Sequence, residues 1–257
     1  MNLKFLGRRK VLIDQCEDSY GRIAVDAIGG YRFLVFGENV EQSCVKVDNP
    51  AWLEYQYTRA MLLGGLCHPS PESALFLGLG SGVLTQACML ALPSLYDIEV
   101  IELRPDVVRM ASQHLGFNAE DERLTLRYGD AMELLQTAEQ ADLIFMDLYD
   151  ENGPARGHLA WKFLQDCRDK LNENGWLIIN QWATADYQPL AAALLRGVFE
   201  HHYWEIPVKE GNVILLVPAS YEQTLPLAEL RQRAKQLTKI LGYRLTNVVE
   251  RIRVPVL

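Results

Sequence analysis

An α/β fold with a mostly parallel sheet is predicted for this chain on three observations. From residue 74 onward, short apolar runs alternate with helical stretches, as in a parallel sheet covered by helices on both faces. The first run, Ala74-Leu75-Phe76-Leu77, empties into alternating glycines at 78, 80 and 82. The first 50 residues read instead as strands split by glycine, the signature of a separate antiparallel sheet.

In that N-terminal part the strands are expected at 10–14, 22–26, 31–36 and 43–47, divided by Gly21, Gly29-Gly30 and Gly37. Asn49-Pro50 then opens a helix from Ala51 to about Leu66, and His68-Pro69-Ser70-Pro71 stops it. Apolar runs place parallel strands at 74–77, 98–102, 124–127, 142–146 and 176–181. Helices are predicted between them at 83–91, 105–114, 130–137 and 158–171, with another from about Ala185 to Phe199. Residues 203–207 and 212–217 flank Lys209-Glu210-Gly211, a hairpin signal. Leu227, Leu230, Ala234, Leu237 and Leu241 recur at helical spacing in a C-terminal helix over 225–241, packed on the domain or on a partner subunit. The domains so read are 1–50, 51–220 and a helical tail, 221–257.

Five parallel strands closed by an antiparallel hairpin make a seven-stranded sheet. That is the class I methyltransferase-like, Rossmann-like arrangement rather than the repeated dinucleotide fold. The glycine spacing agrees, because G-x-G-x-x-G would require glycine at 83, where Val83 stands. Glycine allows a sharp turn and close approach of the backbone to a ligand. The helix beginning at Val83 offers free N–H groups to an electron-rich group. Glu102 ends the next strand, 24 residues beyond Gly78, where an acid accepts hydrogen bonds from a ribose diol. Gly78, Gly80, Ser81, Gly82 and Glu102 are therefore candidates for a nucleoside site.

Ligands of open α/β sheets sit beyond the carboxyl ends of the strands. Two further acids fall there. Asp130, in Gly129-Asp130-Ala131, is placed either to accept from an adenine amine or to cap a helix; Ala131 joins it in the site. Asp147 follows Leu143-Ile144-Phe145-Met146 and faces the reacting end of a ligand. A carboxylate there can hold a cationic amine and remove its proton. Asp147 is the candidate catalytic residue, and Asp150, Tyr149 and Tyr57 are candidates for binding the substrate.

Composition narrows the partners. The chain has 257 residues, 49% of them hydrophobic, enough for one α/β domain plus a small appendage. A net charge of −8 argues against a nucleic-acid surface, which is usually basic. No apolar run approaches the roughly 18 residues needed to span a bilayer. Met1–Lys10 lacks the apolar core of a secretion signal, so a cytoplasmic protein is expected. Five scattered cysteines with no C-x-x-C pair read as reduced thiols, and neither they nor the five histidines give a metal spacing, so no metal is expected.

The residues resemble the spermidine synthase (polyamine aminopropyltransferase) family over roughly 10 to 217. The likeness is carried by the glycine loop, Glu102, Gly129-Asp130-Ala131, and Asp147-x-x-Asp150 followed by Gly153-Pro154-Ala155. It implies a transferase of polyamine biosynthesis, with decarboxylated S-adenosylmethionine as donor and a small amine as acceptor. It further implies Glu102 on the ribose, Asp130 on adenine and Asp147 deprotonating the attacking amine. A homodimer is compatible with this reading.

The chain departs from the family pattern at named places. Ser81 stands where the family's loop carries an acid, Leu148-Tyr149 replace two serines, Glu151 replaces a proline, and Tyr57-Thr58-Arg59 replaces Tyr-His-Glu. A buried Arg59 is expected to repel a polyamine. Two other functions therefore stand beside aminopropyl transfer. One is methyl transfer from S-adenosylmethionine itself, whose carboxylated tail suits a loop without an acid. The other is a non-catalytic nucleoside-binding homologue.

Overall fold

The computed structural model describes residues 9–155 and 157–255. Most of the Met1–Lys10 segment read for a secretion signal, and the outer ends of the first and last expected domains, lie outside the described residues.

Strands β1 (Val11–Asp18), β2 (Gly21–Ile28), β3 (Tyr31–Phe36) and β4 (Val40–Lys46) form an antiparallel meander in the order β1-β2-β3-β4. β4 starts three residues before the expected 43, because Val40 and Glu41 still pair with Phe36 and Val35. Next come α1 (Gln56–Gly65), β5 (Ser73–Leu77), α2 (Val83–Ala91), β6 (Asp97–Glu102), α3 (Pro105–His114) and β7 (Leu124–Tyr128). They are followed by α4 (Ala131–Leu134), a 3-10 turn over Leu135–Thr137, β8 (Ala141–Met146), the two-residue strands β9 (Tyr149–Asp150) and β10 (Gly153–Pro154), α5 (Trp161–Asp169) and β11 (Leu171–Trp182). The chain ends with α6 (Ala192–Val198), β12 (Trp204–Val208), β13 (Asn212–Pro218), α7 (Leu227–Leu241) and α8 (Thr246–Val249).

The large sheet runs β12-β13-β11-β8-β5-β6-β7. Its five central and right-hand strands are parallel, and β13 pairs antiparallel with both β11 and β12, as the sequence predicts. Side chains alternate between two cores. Phe76, Phe145, Trp176 and Ile178 pack under α1, α2, α3 and α7 on one face, while Leu75, Leu77, Ile144, Met146 and Leu177 pack under α4, α5 and α6 on the other. Burial on both faces explains why these strands read as unbroken apolar runs. A smaller core holds the N-terminal sheet, with Ala24, Phe33 and Cys44 at its centre.

Several element boundaries differ from expectation. α1 begins at Gln56, not Ala51: Asn49 bridges back to Lys46, and Tyr55 is extended (φ −85°, ψ 146°). The helix expected over 130–137 is split into α4 and the 3-10 turn. The helix expected over 158–171 is shorter, because Leu171 already pairs with Ala141 in β11. Of the helix expected from Ala185 to Phe199, only Ala192–Val198 forms; Ala183 bridges to Pro189, and Tyr187 turns the chain at φ 56°. Between β8 and α5 the acidic stretch 147–155 holds the tight β9–β10 ladder, Asp150 opposite Gly153 and Tyr149 opposite Pro154. α7 packs on the domain itself through Leu230, Ala234, Leu237 and Leu241.

All five cysteines are free. Among the described residues no helix is long and apolar enough to cross a membrane, and no His, Cys, Asp and Glu cluster could hold a metal ion.

Candidate active site

A cavity of about 550 Å³ opens beyond the carboxyl ends of the parallel strands, a size suited to a small-molecule ligand. The glycine loop, Glu102, Gly129–Met132 and Asp147–Asn152 form its floor and one side. The N-terminal sheet (Tyr20, Phe36, Val40–Ser43) and α1 (Tyr57, Thr58) form the opposite wall.

The glycine loop is shaped by what lies behind it. Gly78 (φ 91°) passes so close to β8 that a Cβ there would stand 2.5 Å from the Asp147 carbonyl oxygen. Gly82 (φ 74°) is the N-cap of α2 and rests on the Phe117 ring; it does not line the cavity, so its place in the loop is conformational and packing-driven. Gly78, Gly80 and Ser81 do line it. Ser81 is buried, and its hydroxyl has no hydrogen-bond partner among the described residues.

Glu102 is buried at the end of β6. One carboxylate oxygen accepts from Leu79 N (2.9 Å) and the other from Arg104 N (3.0 Å). Burial pushes its carboxyl up, against these backbone donors and the Arg104 charge. The residue thus clamps the glycine loop, and a carboxylate, with about four acceptor positions, retains capacity beyond these backbone donors. Asp130 also lines the cavity and caps α4, accepting from Met132 N at 2.8 Å; Ala131 lies beside it.

Asp147 follows β8. Its Oδ1 accepts from Asn180 Nδ2 at 2.7 Å. Burial raises its pKa to about 6, opposed by the Asn180 donor. The phenols of Tyr57 and Tyr149 stand close enough that the Asp147 charge helps to push both up, after burial itself. Tyr57 donates to Gln42 O at 3.4 Å and Tyr149 to Asn180 O at 3.2 Å. Tyr149 tilts against Trp182, ring centroids 5.8 Å apart. Asp150 lines the cavity, and its backbone oxygen accepts from Gln42 of the N-terminal sheet.

Six carboxylates line the cavity: Glu41, Glu102, Asp130, Asp147, Asp150 and Glu151. The one guanidinium among the lining residues, Arg104, is held by both oxygens of Asp18 (2.9 Å each) and by Gly21 O (2.7 Å). The cavity therefore favours a cationic ligand.

Arg59 corrects an expectation. It lies outside the cavity, its Nε donating to Leu53 O at 2.7 Å and its guanidinium 4.1 Å above the Tyr243 ring. Tyr57 and Thr58 take the cavity side of α1, so Arg59 is no barrier to a polyamine.

Among the lining residues that escaped the sequence reading are Glu41, His158, Asn180 and Asn212. Asn180 had a signal, since it ends the apolar run Trp176–Ile179 as Glu102 and Asp147 end theirs. His158 is buried with Nδ1 bound to the Ala155 carbonyl, and burial lowers its pKa. Glu41 and Asn212 reach the site only through tertiary packing.

A seven-stranded, mostly parallel sheet with an acid-lined cavity at its strand ends defines a class I methyltransferase-like fold. Residues 54–201 match the family model of the spermine/spermidine synthase domain, and the chain belongs to that family. It is similar to the polyamine aminopropyltransferase of Neisseria meningitidis serogroup A, 26% identical over 231 residues (88% of this chain, 87% of the relative). It is also similar to that of Vibrio vulnificus, 26% identical over 243 residues (91% and 80%). Its fold matches spermidine synthase from Thermotoga maritima, with a TM-score of 0.70, 16% identity, and coverage of 95% of this chain and 84% of the other. It also matches human methyltransferase-like protein 13 in complex with SAH, with a TM-score of 0.62, 24% identity, and coverage of 73% and 92%.

Proposed function

We propose that this chain is a spermidine-synthase-like transferase that moves an aminopropyl group from decarboxylated S-adenosylmethionine to a small amine. The observation that carries the reading is Asp147: a carboxylate held by Asn180 at the end of β8, lining a cavity with five other acids. Family membership and the relatives' names support the transfer chemistry.

Glu102 and Asp130 would accept from the ribose hydroxyls and the adenine amine through the lone pairs left free by their backbone donors. Asp147 would hold the acceptor's ammonium and take one proton. The freed nitrogen lone pair attacks the carbon bonded to the sulfonium sulfur; an N–C bond forms, the C–S bond breaks, and its electron pair leaves on sulfur as neutral methylthioadenosine. Both reactants are cationic, and the surplus of lining carboxylates lowers the cost of bringing them together. Tyr149 and Trp182 would flank the acceptor's alkyl chain.

Methyl transfer from S-adenosylmethionine is the second reading, favoured by Ser81. A neutral hydroxyl in place of a loop acid removes the repulsion a donor carboxylate would meet.

Calorimetric titration with methylthioadenosine, decarboxylated S-adenosylmethionine and S-adenosylmethionine tests the donor, followed by turnover with putrescine. Tighter binding of the decarboxylated donor, with methylthioadenosine released, is expected. Release of S-adenosylhomocysteine supports methyl transfer instead. Absence of binding by all three would overturn the nucleoside site.

A further inference from the structure

Asp147 is held by one neutral amide, and that amide has two chemically different ends. Asn180 lies in β11 between β8 and β13, is 4% exposed, and donates Nδ2–H to Asp147 Oδ1 at 2.7 Å. Rotation by half a turn about its last bond would present Oδ1 instead, placing two acceptors face to face. The choice is made at the next strand. Asn212, the first residue of β13, stands opposite Trp182 in the β11–β13 ladder and hence diagonal to Asn180 on the same face. Its Nδ2–H donates to Asn180 Oδ1 at 2.9 Å. A donor at that point pins the oxygen of Asn180 toward β13 and leaves only the N–H end for Asp147.

We infer that Asn212 is a positioning residue for the reaction: through Asn180 it fixes the hydrogen bond that keeps Asp147 as an oriented carboxylate. The inference rests on Asp147 being the base of the proposed transfer. Other groups facing Asp147 do not supply this bond. Tyr57 from α1 gives its hydroxyl hydrogen to Gln42 O, and Tyr149 from β9 gives its own to the backbone oxygen of Asn180. Both phenols stay protonated at neutral pH, so the Asn180 amide is the donor that opposes the effect of burial on Asp147.

Asp147 can be watched directly by labelling aspartate side chains with carbon-13 at the carboxyl and following that signal with pH, assigned by its loss in Asp147→Asn. In Asn212→Leu, which removes the donor without adding charge, the Asp147 midpoint should rise by about half a unit or more. In Asn212→Asp, nearly isosteric but without the amide N–H donor, the rise should exceed one unit, and the acid limb of kcat should move with it. Asn212→Ala repeats the first arm should Leu fail to fold. An unmoved midpoint in both Asn212→Leu and Asn212→Ala, with Asn180→Leu raising it, would show that Asn180 orients itself, and would overturn the inference. The midpoint is read without turnover, so a protein that shows these shifts yet transfers nothing to any amine keeps the relay and loses only the proposed function.

Discussion

Asp147 combines two properties that pull against one another. As the proposed base it has to be ionised, and burial opposes ionisation, pushing its pKa up to about 6 from the ordinary 3.8. The linkage follows in sign. The folded protein holds the Asp147 proton more tightly than the unfolded chain, so stability falls as pH rises from about 4 to 6 and stays lower above that range. Asp147→Asn should therefore be more stable than wild type at pH 8, by up to about 3 kcal/mol for two units of pKa, and the gain should vanish near pH 4. Urea denaturation at the two pH values measures it. The same variant should lose about 10²–10⁴-fold in kcat while methylthioadenosine affinity holds. A variant that turns over normally would remove Asp147 from the chemistry.

The helices around the site are held from outside the cavity. α1 carries Tyr57 and Thr58, and its C-terminal carbonyls lack partners within the helix. Arg233 of α7 supplies one, donating to Leu66 O at 2.7 Å and to His68 O at 2.9 Å. Behind α1, Arg59 stacks on Tyr243 in the segment after α7, where the guanidinium gains a cation–π contact. The C-terminal helix thus acts as a brace for the helix that forms one cavity wall. Arg233→Met should cost about 1.5–3 kcal/mol of stability, the scale of hydrogen bonds from a charged donor, as read in urea. Methylthioadenosine binding in the folded variant should remain, because Glu102, Asp130 and the glycine loop are untouched.

Closure of the cavity depends on how the N-terminal sheet sits against the large one. Arg104, just past β6, reaches across to Asp18 and Gly21 O, with its guanidinium 4.6 Å from the Phe36 ring. Burial pushes the Asp18 carboxyl up, but the bonds from Arg104 and Tyr20 N outweigh it and hold the group below its ordinary value. The stabilisation of this pair is accordingly present at neutral pH and is lost as pH falls through the folded pKa, below about 4. Asp18→Ala would strand a buried guanidinium, costing on the order of 3–5 kcal/mol. It should also weaken methylthioadenosine binding, since Tyr20, Phe36 and Ser43 would lose their fixed distance from the glycine loop. Chemical denaturation and calorimetry on the same sample check both; unchanged values would show that the two sheets are held by other contacts.

Glu102 and Asp147 were legible in the chain because a strand buried on both faces reads as an apolar run, and the first acid after such a run must emerge at the ligand end of the sheet. The hairpin at the end and the glycine spacing were equally local, so the fold class followed from them. Arg59 was misplaced because a helix turns about 100° per residue. Neighbours such as Thr58 and Arg59 then face different ways, and only packing sets which faces the cavity. The helix expected before Phe199 was cut short by the Ala183–Pro189 bridge, a pairing no propensity encodes. Asn212 and Glu41 lie far in sequence from the glycine loop and from the acids at the strand ends; strand pairing and the docking of the N-terminal sheet bring them to the site. Local pattern therefore determined the strands, the glycine loop and the acids at the strand ends. Tertiary structure alone decided that Arg59 lies outside the cavity and that the Asn180 amide holds Asp147, since both depend on contacts between segments remote along the chain.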